Sequence, residues 1–298
     1  MYTKTVITRD TLSYEKKITL YKPDTDTIKG ALLYFHGGGL LYGNREDLPE
    51  EHIRLLTKSG YAIFAYDYPL APAAKIDLIL DDIISSIKDY IKNAPDYIGS
   101  NLPYFLWGRS SGAFLSLLAA SKLPSIFSED DFNGTSSHIL PCGILSYYGY
   151  GLLTDGWIDT PSDYYLSFPA PTSSVMDYLP EEIHCTGELE THYSAYIYAR
   201  QTGSWKSLFY EGREKYLYLS YSLRLVDSLP CPLFCAHSTG DTDVPFSEFQ
   251  ELCRKYKAEK YIASGKTHDF DRDTDSIQTK QLLEETLSFL NREVLNTN

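Results

Sequence analysis

Residues 103–123 read PYFLWGRSSGAFLSLLAASKL. The first six are a compact apolar run suited to a buried strand, and the stretch from Ala113 onward is apolar enough for a helix packed on a sheet. Between them lies Gly108-Arg109-Ser110-Ser111-Gly112, a pattern that means little alone but fits a sharp turn when a strand precedes it and a helix follows. Small residues let strand and helix approach closely, and the central serine is forced into strained backbone geometry. Ser110 then stands at a helix N-terminus, where free amides and the helix dipole favour developing negative charge.

Outward from this turn, short apolar strands alternate with helical stretches. GALLYFH (Gly30–His36) ends in three glycines, a helix is expected near Asp47–Ser59, and YAIFAYD (Tyr61–Asp67) is a second strand. Ile76, Leu80, Ile83, Ile87 and Ile91 recur at helical spacing. CGILSYY (142–148), PLFCAHS (232–238) and KYIAS (260–264) continue the series, and two short strands are expected between Lys4 and Lys22. This alternation implies the α/β class, a mostly parallel central sheet flanked by helices. The interval 149–228 breaks the regularity and is rich in tyrosine. A structureless loop of that length is implausible, so helices are expected at Leu189–Arg200 and Leu217–Val226. The domain reading is a core of residues 1–148 and 229–298, with 149–228 inserted as a helical cap.

The 298 residues are 43% hydrophobic and 22% charged, an ordinary globular balance, with 27 Lys+Arg against 40 Asp+Glu for a net charge of −13. Such acidity argues against nucleic-acid partners and against adhesion to an anionic membrane. No apolar stretch is long enough to span a bilayer, and the N-terminal residues lack a signal-peptide pattern. Five scattered cysteines without CxxC spacing read as free thiols, and a cytoplasmic location is expected. A small molecule is the expected partner, and homo-oligomerisation stays open.

His36-Gly37-Gly38-Gly39 stands at the end of the apolar strand that begins at Gly30. Acyl transfer needs preorganised amides around an oxyanion, and Gly38 and Gly39 can supply them, with Ser111 N–H as a third. A phosphate loop is the rival, but neither Gly-Lys-Ser/Thr nor GxGxxG is present. A nucleophilic serine requires a base and an orienting carboxylate. His268, after the last short strand, suits the base; Asp241, after a Gly turn, suits the acid, with Asp243 the alternative. No metal or other cofactor is implied.

These motifs, in the order HGGG with Leu40-Leu41-Tyr42-Gly43, then Tyr66-Asp67-Tyr68-Pro69-Leu70-Ala71-Pro72, then GRSSG, then Gly240-Asp241-Thr242-Asp243-Val244-Pro245, resemble the α/β-hydrolase superfamily. Among its members the chain is most similar to small bacterial carboxylesterases related to hormone-sensitive lipase. The resemblance covers roughly 30–148 and 230–290. It implies hydrolysis of short-chain carboxylic esters through an acyl-enzyme, without metal or cofactor, and carries the family roles onto Ser110, Asp241, His268 and the glycines. The same machinery could serve a peptidase or amidase, or the fold could serve a non-catalytic receptor. Pro69 stands where that family has arginine in DYRLAP, and the serine is preceded by Arg109 rather than an acidic residue.

Tyr42 and Trp107 are expected to border the acyl pocket, with a core role as the equal alternative for Trp107. The tyrosines of the insertion could line a pocket for an aromatic or sugar ester, but packing of the cap onto the sheet is the preferred reading. His36 is expected to brace the glycine loop, and His237 to be structural. The run Asp269–Asp275 lacks the EF-hand glycine and glutamate and reads as a solvated loop before the last helix.

Overall fold

The computed structural model describes residues 1–11, 13–25, 27–127 and 138–297. Its strands are β1 (Tyr2–Asp10), β2 (Glu15–Pro23), β3 (Gly30–Phe35), β4 (Tyr61–Tyr66), β5 (Tyr104–Arg109), β6 (Gly143–Tyr147), β7 (Leu233–Ser238) and β8 (Glu259–Ala263). They form one sheet in the order β1-β2-β4-β3-β5-β6-β7-β8. β2 runs antiparallel to both of its neighbours, and every other pairing is parallel. Strands β3 to β7 are buried at every residue, as a parallel sheet covered on both faces requires.

The two-residue period of each strand divides the core into two layers. Leu32, Tyr34, Ile63, Ala65, Phe105 and Trp107 pack with Ile53 and Leu56 of α1 (Glu50–Lys58) and with Leu282, Phe289 and Leu290 of α9 (Ile277–Thr297). Ala31, Leu33, Phe35, Phe64 and Leu106 face the other way, onto α2 (Ile76–Ile98) and α3 (Ser111–Ile126). No described helix is long and apolar enough to cross a membrane.

Between β6 and β7 the chain adds α4 (Asp163–Leu166), α5 (Leu189–Thr202), α6 (Trp205–Phe209) and α7 (Glu214–Ser220). The helix expected at Leu217–Val226 is thus displaced. Beyond Ser220 the chain leaves helical geometry to make tertiary bonds: Leu223 N–H donates to Gly151 O at 2.8 Å, and the Arg224 guanidinium donates to the carbonyls of Leu152 and Leu153. The start of the insertion is tied to α8 (Phe246–Tyr256) by Glu248, which is fully buried. Its carboxylate accepts from the N–H groups of Gly151, Leu152 and Thr154, the Thr154 hydroxyl and the Trp157 indole.

Candidate active site

The residues singled out above lie at the carboxyl ends of the parallel strands, where the loops of an open α/β sheet converge. Ser110 links β5 to α3 with φ 52° and ψ −118°, a left-handed conformation costly for a residue with a Cβ. Close packing enforces the turn: a Cβ on Gly112 would lie 2.0 Å from the Phe35 carbonyl oxygen, so only glycine lets α3 meet β3 here.

The Ser110 hydroxyl is 2.9 Å from His268 Nε2, and His268 Nδ1 is 2.7 Å from Asp241 Oδ2. Because a carboxylate only accepts, Nδ1 carries the proton and Nε2 is left to face the serine. Asp241 is held on all sides. Its Oδ1 accepts the N–H groups of Asp243 (2.8 Å) and Val244 (3.0 Å), and its Oδ2 lies 3.2 Å from His237 Nε2. His237 Nε2 also lies 3.1 Å from the Val244 carbonyl, so it carries a proton between two acceptors. Burial, against the charge of Asp241, drives His237 down to about 4 and keeps the ring neutral.

Burial by itself would lower His268. The charge and hydrogen bond of Asp241, with Asp243 and Asp269 behind them, outweigh it and raise the imidazole to about 9. Burial would likewise raise the Asp241 carboxyl, but His268, by charge and hydrogen bond, and then His237 bring it below its ordinary value. Asp241 and His268 thus stabilise each other's charged forms.

The glycine loop stands opposite. Gly38 has φ 105°, and a Cβ there would lie 1.9 Å from Tyr42 O, which leaves no room for any other residue. Among the described residues, the N–H groups of Gly38, Gly39 and Ser111 have no acceptor within the protein. His36 stacks on Tyr68 with ring centroids 4.2 Å apart and donates from Nδ1 to Gly37 O at 2.7 Å, bracing the loop. From the insertion, Trp205 Nε1–H donates to Gly39 O at 2.8 Å.

A cavity of about 960 Å³ opens above Ser110 and His268. Tyr42, Tyr148, Tyr164, Tyr165 and Tyr193 form much of its wall, so the insertion's tyrosines divide between lining and packing. Tyr42 lies where expected. Trp107 does not: it is fully buried within the sheet, 4.8 Å from the Tyr34 ring and 5.6 Å from the Tyr147 ring. Strand alternation turns it onto the α1 and α9 layer, three residues below the elbow. Asp243, the alternative acid, is not bonded to Nδ1; its Oδ2 lies 3.9 Å from His268 Nε2, inside the cavity wall. Among the described residues no group of three or more His, Cys, Asp or Glu side chains is arranged to hold a metal ion.

A second correction concerns the loop after His268. Asp273 and Asp275 are exposed, but Asp271 is fully buried. It pairs with Arg109 Nη2 at 2.8 Å and accepts from His52 Nε2 at 3.0 Å and from the Tyr148 hydroxyl at 2.8 Å. Tyr148 also accepts from Arg109 Nε and lies edge-on to the His268 ring, with centroids 4.7 Å apart. This cluster joins the strand that ends at Ser110 to the loop that carries His268, and sequence reading missed it. An arginine one residue before the serine was its only signal.

The family model described as BD-FAE matches residues 18–145. An acetyl esterase of Salmonella paratyphi B is 31% identical over 139 residues, covering 45% of this chain and 39% of that protein. The match therefore spans about two fifths of that relative's length. Similarity to solved structures extends over whole chains. A Staphylococcus aureus protein of unknown function superposes with a TM-score of 0.78 at 26% identity, covering 99% of each chain. A metagenomic carboxylesterase, at 16% identity and a TM-score of 0.64, covers 98% of this chain and 89% of its own and shares the fold. An α/β-hydrolase superfamily protein from Enterococcus faecalis matches 98% of this chain and 100% of its own at 26% identity and a TM-score of 0.79. With that correspondence, the strand order and the strained elbow at the end of β5, this chain belongs to the α/β-hydrolase superfamily.

Proposed function

We propose that the protein is a serine esterase that hydrolyses short-chain carboxylic esters through an acyl-enzyme. The observation that carries this reading is the unbroken relay Ser110 Oγ–His268 Nε2–Asp241, at 2.9 and 2.7 Å, beneath an open cavity. In the mechanism, neutral His268 takes the Ser110 proton on Nε2 as Oγ attacks the ester carbonyl carbon. The carbonyl oxygen becomes an oxyanion held by the free amides of Gly38, Gly39 and Ser111. Collapse breaks the bond to the alcohol oxygen, which leaves with the proton from Nε2. Water, deprotonated by the same nitrogen, then releases the acid and restores Ser110. Asp241 holds the tautomer and stabilises the imidazolium.

Residues 149–228 act in this reading as a cap whose tyrosines close the cavity. The acetyl esterase relative supports ester over amide chemistry. The five cysteines are all free thiols, which suits a cytoplasmic location. The test is hydrolysis of p-nitrophenyl esters from acetate to laurate beside a panel of peptide p-nitroanilides. Short esters should be cleaved fastest, and Ser110→Ala should lose about 10⁴-fold or more in kcat. Full activity in that variant would end the proposal, and peptide cleavage without esterolysis would replace it with a peptidase.

A further inference from the structure

Asp243 is a carboxylate that the esterase mechanism does not use. It is nine-tenths buried, it forms part of the cavity wall, and its backbone N–H is bonded to the acid Asp241. Its side chain is held in place from behind. The Tyr196 hydroxyl donates to Oδ1 at 2.9 Å and to Oδ2 at 3.1 Å, and the Arg200 guanidinium lies 3.6 Å from Oδ1. Arg200 itself is packed among Trp157, Tyr165, Tyr196 and Trp205, 5.1 to 5.9 Å from their ring centroids. A carboxylate can accept about four hydrogen bonds. Among the described residues only the Tyr196 hydroxyl donates to this one within hydrogen-bond distance. An anion so rigidly placed, with acceptor capacity left over and a cavity in front of it, is suited to receive a donor from a bound molecule.

Position identifies which part of the substrate that is. Asp243 Oδ2 is 3.9 Å from His268 Nε2, the nitrogen that hands its proton to the departing alcohol oxygen. That oxygen must come within hydrogen-bond reach of Nε2. A donor on the alcohol half, close to that oxygen, would then come within reach of Asp243. We infer that Asp243 is a specificity determinant that accepts a hydrogen bond from a free hydroxyl next to the acylated one, so that the preferred substrates are monoacylated 1,2-diols and polyols. An alcohol bearing an anion beside the ester is repelled by the same group. The assignment rests on the esterase reading, but its test is separate.

The purified full-length protein is assayed for kcat/KM on 2-hydroxyethyl acetate, 2-methoxyethyl acetate and acetylcholine. The first two differ in the donor, and the third offers positive charge without one. The hydroxyl ester should be preferred over the methyl ether by about tenfold to a hundredfold, the range of one charge-assisted hydrogen bond. In Asp243→Asn the ratio should fall to within about threefold. Using the ratio cancels any effect of the substitution on His268. Equal rates on the first two esters in the native protein would overturn the inference whatever the variant does. Acetylcholine outrunning the hydroxyl ester would overturn it too, by showing that charge alone is read. Hydrolysis that survives Ser110→Ala would instead sink the esterase reading.

Discussion

Replacing Arg109 by leucine tests whether the buried cluster behind the elbow holds the site together. Arg109 and Asp271 are 1% and 0% exposed and pair at 2.8 Å. Breaking such a pair on one side leaves a buried charge without its counterion, at a cost of about 3–5 kcal/mol. Asp271 would keep two donors, His52 Nε2–H and the Tyr148 hydroxyl, so the lower end, about 3 kcal/mol, is expected. Against a total stability of roughly 5–15 kcal/mol this is a large fraction, readable as a lower urea midpoint with an unchanged slope. The double variant Arg109→Leu/Asp271→Asn removes both charges and should be destabilised by less than the sum of the single changes.

Linkage adds a signature. Burial would raise the Asp271 carboxyl, but Arg109 and then His52 hold it well below the usual carboxylate range. Its contribution is therefore present above the unfolded value, near 4, and is lost as the pH falls through the lower folded value. In Arg109→Leu burial acts with less opposition, the carboxyl protonates earlier, and the gap to the native protein should narrow between pH 7 and pH 4. Because the pair joins the strand carrying Ser110 to the loop carrying His268, kcat should also fall, by about tenfold or more. A gap below about 1 kcal/mol, or one independent of pH, would refute the argument.

Three further outcomes are expected. With His268 raised to about 9, the neutral base is scarce at pH 7, so kcat/KM for p-nitrophenyl acetate should climb through the alkaline range; a midpoint at or below 6.5 would contradict it. The sign for stability is opposite: the raised imidazole favours folding below about 6.5 and ceases to do so as pH rises through about 9. Glu248→Ala orphans five donors at the root of the insertion and should cost roughly 3 kcal/mol, with faster hydrogen exchange at Gly151, Leu152 and Thr154; unchanged exchange there would deny the anchor. Trp107→Phe should lower stability by about 1–3 kcal/mol and leave KM alone, whereas a selective change in KM would return this residue to the pocket.

Features set by local rules were legible in the sequence. Apolar strands buried on both faces are continuous runs, so β3 to β7 were visible within a residue or two, and the elbow followed from one strand, one helix and the glycines between them. The order of motifs carried Ser110, Asp241 and His268 to the places where the relay is found. Trp107 went astray because a strand residue's face depends on a register read from its ends. The two-residue period places Leu106 and Trp107 on opposite faces, but in a strand buried on both sides only the fold decides which face lies under α1 and α9.

Pairings made only in three dimensions left no such trace. Trp205 braces Gly39 across 166 positions, and Tyr196 meets Asp243 across 47, with no periodicity or motif to announce either. Asp271 shows why composition misleads most where charge is concentrated. In a run of alternating aspartates each looks like its neighbours, and solvation is the reasonable reading for all of them. What separates one is a cation elsewhere that cannot reach water. Arg109, wedged between a buried strand and Ser110, must be matched by a carboxylate or not be there at all. That constraint was present in GRSSG from the start, as a demand for an anion. The fold decided which of the forty acidic residues met it.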